Sequence, residues 1–84
     1  MIHMTQVKIE RENLTQLIDF KLNHLRKEIE RILNKWDYSF SNKFLDDAKT
    51  GEISEAEEDA IILKNIEDEI KNLEYQKKIW LNQQ

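Results

Sequence analysis

Apolar residues fall on two long heptad stripes in this chain. The first runs Ile18, Leu22, Leu25, Ile29, Ile32, Trp36, with spacings of 4, 3, 4, 3 and 4. The second runs Leu63, Ile66, Ile70, Leu73, Lys77, Trp80, with spacings of 3, 4, 3, 4 and 3. Such spacing lays a narrow apolar strip along one side of a helix, and that strip needs a partner helix to cover it. Leu14, Leu17 and Leu33 lie beside the first strip and broaden it.

The pattern predicts three helices. A first helix is expected over about 12–36, with Asn13 as a candidate N-cap and Gln16 three residues on. Ahead of it, Thr5, Gln6, Val7, Lys8 and Ile9 alternate polar and apolar, a short strand signal that is outweighed by a frayed N-terminus or a first helical turn, the helix alternatively beginning a turn before Asn13. A short second helix is expected over about 41–49, capped by Ser39 or Ser41, with Phe40, Phe44, Leu45 and Ala48 as its apolar face. It should plug the turn end of the hairpin near Trp36 and Tyr38. Gly51 should end it in a left-handed conformation. A third helix is expected over about 54–81, opened by the capping box Ser54–Glu57. Folding the stripes face to face sets an antiparallel register: Trp36 by Ala60, Ile32 by Leu63, Leu25 by Ile70, and Trp80 near Leu17. Lys77, in the seam, is a candidate for setting register or oligomer number. The fold class is thus all-α, a long coiled-coil-like antiparallel hairpin with a short helix at its turn.

The 84 residues suit one domain, and with one Gly, no Pro and 36 % charged residues the composition is that of long helices. A single two-helix seam is marginal by itself, so a dimeric helical bundle is expected. No Cys is present, which excludes disulfides and thiolate metal sites. No apolar run nears the ~20 residues of a membrane span, and no signal-like segment is seen, so a cytoplasmic protein is the expectation. Met1–His3 are given no functional weight.

Charge is uneven. Residues 1–36 hold seven Lys/Arg against five Asp/Glu, residues 37–59 two against eight, and residues 60–84 four against four. The acidic middle would repel phosphate backbones, which argues against nucleic acid as a partner. Glu55, Glu57, Glu58 and Asp59 sit where the dipole of the third helix favours negative charge, so the acidic run needs no ligand to explain it.

Candidate chemistry is sparse. Residues 46–57 can be laid on a 12-residue calcium loop, with Asp46 first, Thr50 fifth, Gly51 sixth, Glu52 seventh, Ser54 ninth and Glu57 last. Ala48 at the third position lacks a side-chain oxygen, and Thr50 is a weak ligand. His24 has no second His or Cys at i+3 or i+4. No Gly-rich phosphate loop and no cofactor motif exist, and the acids read as capping and surface groups rather than general acids. The candidate functional surface is therefore apolar: Leu14, Leu17, Trp36, Leu63, Ile66, Ile70, Leu73, Ile79, Trp80 and Leu81, as a partner or oligomer interface.

Lys35, Trp36, Ser39, Phe44, Gly51, Glu52 and Ile53 follow an outline that resembles small prokaryotic antitoxin-like helical proteins of toxin–antitoxin modules. In that outline a Lys-aromatic-Gly-x-Ser run ends the first helix, and Asp37 here stands at the Gly position. The resemblance implies a non-catalytic acidic partner that binds and silences a toxin. Beside it stand a calcium-responsive helix-loop-helix, a ribbon-helix-helix DNA regulator hinted at by Val7, Lys8 and Ile9, and a structural adaptor.

Overall fold

A computed structural model describes the backbone of residues 3–82 and the side chains of residues 12–82. The chain is a rod of 62 × 18 × 18 Å. It comprises α1 (His3–Lys35), α2 (Ser41–Thr50) and α3 (Glu57–Leu81), with a 3₁₀ turn at Ser54–Ala56 leading into α3. The all-helical hairpin with a short helix at its turn is therefore present.

α1 begins about nine residues earlier than the stripe suggested, so residues 5–9 are helical rather than strand, and Asn13 is interior rather than an N-cap. Once a helix is nucleated, each added residue gains a hydrogen bond, and no Gly or Pro between residues 3 and 13 stops it. The ribbon-helix-helix reading loses its strand here.

The end of α1 is a Schellman motif. The Tyr38 amide donates to the Leu33 carbonyl (2.8 Å) and the Asp37 amide to that of Asn34 (3.2 Å). Asp37 sits between them at φ 61°, in the left-handed region that favours glycine. This is the position where the antitoxin-like outline carries Gly. Asp is among the few side chains that tolerate it, because its short polar group can bond locally.

Neither expected cap of α2 forms. Phe40 occupies the N-cap position in extended conformation without a side-chain cap bond, and Ser41 is already helical. Gly51 ends the helix as expected, at φ 87°, its amide on the Ala48 carbonyl. The Ser54–Glu57 capping box is likewise absent. Ser54 opens the 3₁₀ turn, Ala56 takes the N-cap position of α3, and no side chain caps either. Packing explains the shift: Ala56 is fully buried in the core cluster with Phe44 and Leu63, so the small residue takes the position where the turn packs on α2 and α3. Glu57, Glu58 and Asp59 remain in the first turn of α3, as the helix dipole favours.

The core lies at the turn. Ile32 from α1, Phe44 from α2 and Leu63 from α3 are fully buried, joined by Leu33 and Ala56. The Phe44 ring meets Tyr38 edge-on at 5.3 Å and Trp36 at 6.4 Å, so α2 is the expected plug. Phe40 is a correction to its apolar face, being 73 % exposed. Ile32 and Leu63 share this cluster, as do Trp36 and Ala60, which is the register read from the stripes. Four ion pairs between α1 and α3 hold the same register along the rod: Lys35–Asp59, Lys21–Glu69, Arg26–Glu74 and Lys77–Asp19. Lys77 thus crosses the seam to a specific acid at 2.6 Å.

Three substitutions test this packing. Phe44→Ala should cost about 3–5 kcal/mol, whereas Phe20→Ala, at a position 77 % exposed, should leave the denaturant midpoint of the monomeric hairpin nearly unmoved. Gly51→Ala should cost about 1 kcal/mol. A Cβ there meets nothing within 4 Å, so the loss would report backbone strain alone.

Candidate interaction surface

The two ends of the rod differ in chemistry. At the turn end, polar groups reinforce the core. Asp59 accepts from both Lys35 Nζ and Trp36 Nε1 at 2.8 Å, with the Lys35 ammonium also 5.4 Å from the Trp36 ring. Asp47 accepts from the Tyr38 hydroxyl (2.7 Å) and from Lys43 (3.0 Å). The Lys35 ammonium, and after it the Trp36 indole N–H, hold the Asp59 carboxyl below the usual carboxylate range. The Tyr38 hydroxyl and then Lys43 do the same to Asp47. In turn, the hydrogen bond to Asp47 raises the pKa of both Tyr38 and Lys43. These pairs place Tyr38, Trp36, α2 and α3 relative to one another, so they are structural contacts.

The other end is open. Leu17 is 65 % exposed and Phe20, one turn on, is 77 % exposed; Leu14, Ile79 and Leu81 at the same end of the hairpin are exposed too. At 100° per residue Leu17 and Lys21 share a stripe of α1, while Glu69 and Trp80 share one of α3. The Lys21–Glu69 ion pair joins these stripes. Leu17 and Trp80 therefore lie on one side of the hairpin, with Phe20 next to them. Leu81 falls on the opposite side, below Arg26–Glu74, where it lines a shallow hollow of about 310 Å³ with Asp19, Leu22 and Lys77. Four of the five charged groups lining that hollow are taken up in the Lys77–Asp19 and Arg26–Glu74 pairs, and Lys78 is the fifth.

The residues expected at an interface divide accordingly. Leu14, Leu17, Ile79 and Leu81 are exposed, and Ile70, Leu73 and Trp80 are half-buried along the seam. Leu63 is fully buried inside the hairpin and cannot face a partner, because Ile32 and Phe44 already enclose it. Ile66 and Trp36 pack on the same core. Phe20 was missed because it stands off the heptad seam. An aromatic three residues beyond Leu17, on a helix whose seam was already supplied, is the signal that marks it.

The calcium-loop reading does not fit the backbone. Its positions one to five, Asp46 to Thr50, are the last turn and more of α2, so Asp46 and Thr50 stack along a helix instead of wrapping an ion. Only 51–56 form the connection, Glu52 and Ser54 lie within it, and Glu57 starts α3. Among the described residues no three His, Cys, Asp or Glu side chains are grouped to hold a metal ion. His24 is exposed; the side chain of His3 lies outside those described. Among the described residues no helix is long and apolar enough to cross a membrane.

Comparison with protein-family models, with curated proteins and with solved structures finds no match to this chain.

The ion pairs at the turn set the pH response. Depressed carboxylates contribute stability above about pH 4, lost as pH falls below it; the raised Tyr38 and Lys43 contribute stability that is lost as pH rises beyond about 10. Thermal melts should therefore show a plateau between about pH 5 and 9, with Tm falling on either side. Asp59→Asn should lower Tm at pH 7 and flatten the acid limb between pH 5 and 3.

Proposed function

We propose that this chain is a non-catalytic protein–protein interaction module whose open end, around Leu17 and Phe20, packs on a partner. The single observation behind this reading is that two large apolar groups one turn apart on α1, Leu17 and Phe20, stand 65 % and 77 % exposed, with Leu14 exposed next to them. Aromatic anchors in a patch that becomes desolvated on binding supply most of the energy of such contacts.

The finer reading is antitoxin-like action by occlusion. The apolar patch would seat on a toxin, and the acidic turn, with eight Asp/Glu against two Lys over 37–59, would match a basic surface and speed encounter. The expected partner is the protein encoded beside this one. Co-expressed with tagged chain, it should co-purify and its toxicity should be relieved. Leu17→Glu and Phe20→Glu should each abolish both effects while the chain keeps a cooperative melt. Growth unaffected by the neighbouring protein alone, or rescue that survives both substitutions, would remove this reading.

A further inference from the structure

We propose that in the free protein the open end is covered by a second copy of the same chain, the two rods lying antiparallel with Phe20 near the two-fold axis. This deepens the reading of the open end as an interface, and it rests on three features of the rod.

The first is the overhang of α1. The Lys77–Asp19 pair brings Leu81 level with about residue 15 of α1, yet α1 continues to His3. A stretch of about 11 helical residues, roughly 17 Å, therefore runs past the end of its own partner helix. Isolated helices of this length are marginal in water, so a lateral neighbour is called for. Another rod of the same kind supplies one.

The second is the exposed flank, where Leu17 and Phe20 lie beside that overhang and on the same helix. An antiparallel copy with its axis at Phe20 sets Phe20 against Phe20 and carries each overhang along the partner's α1 toward its turn. The interface is isologous and closes at two subunits.

The third is charge, which selects the orientation. Residues 37–59 carry a net −6, from two Lys against eight acids. Parallel rods would stack both acidic turns within a Debye length of about 8–10 Å. Antiparallel rods separate the turns and bring each to the N-terminal end of the partner's α1. That end has no acid in its first turn and carries the positive pole of the helix dipole.

Sedimentation equilibrium of the chain alone, from about 1 to 100 µM, reads the first claim. A species of twice the chain mass is expected, and a monomer throughout would overturn the proposal. Phe20→Glu and Leu17→Glu should raise the dimer dissociation constant roughly thirtyfold or more, while both keep a cooperative melt. Phe40→Glu, at the exposed turn end, should leave it unchanged. A dimer indifferent to the first two substitutions overturns the assignment of the face. The absence of Cys permits a single spin label at Thr50→Cys. Antiparallel rods should place the two labels about 50 Å apart or more; a separation below about 30 Å, as parallel rods would give, overturns the orientation. No partner protein enters these measurements, so their failure and the failure of toxin binding are separate results.

Discussion

One knot of side chains organises the molecule. Ile32, Phe44 and Leu63 come from three different helices and are all removed from water at the same place. Without Phe44, α2 would have no reason to fold back, and the turn would be a loose connection between two helices. With it, three elements share one small core, and the aromatic neighbours Trp36 and Tyr38 are held close enough to bond Asp59 and Asp47. Hydrogen bonds of this sort contribute little net energy in water but are specific in direction. They turn an apolar cluster into a defined geometry and fix where α3 begins relative to where α1 ends.

Away from the knot, contacts become sparser and more polar. The seam continues through Leu25 and Leu22, both buried, but α3 contributes only half-buried residues there, and Lys77 takes a seam position. Cross-helix ion pairs between exposed groups contribute at most about 1 kcal/mol each. Register is thus maintained along the rod by charge pairing while cohesion is concentrated at the turn. The proposed interface lies at the less committed end, where covering Leu17 and Phe20 competes with no existing core contact.

Heptad spacing made the two long helices and their register legible, because period and partner are encoded in the same residues. Ile32 with Leu63 and Trp36 with Ala60 follow directly from it. Gly51 was legible too, since only a residue without a Cβ occupies φ 87° at no steric cost. Capping was not. Ser39, Ser41 and Ser54 are favourable caps by chemistry, yet burial of Phe44 and Ala56 decided where each helix starts. The start of α1 was obscured because Val7 and Ile9 imitate a strand pattern that tertiary pairing never supports. At the site, the apolar neighbours of the stripe were readable as a group. Which of them faced inward, as Leu63 does, and which outward, as Leu17 does, depended on α2, whose position no periodicity announces.

The placement of the knot also orders assembly. The Trp36–Asp59 contact closes a loop of 23 residues, while Asp19–Lys77 spans 58. Forming the distant contact first would cost only about 0.8 kcal/mol more in closure entropy, but it would be made without apolar reinforcement. The chain is therefore built to zip in one direction, from its bend outward. The segment that arrives last is the one that stays adjustable when a neighbour approaches.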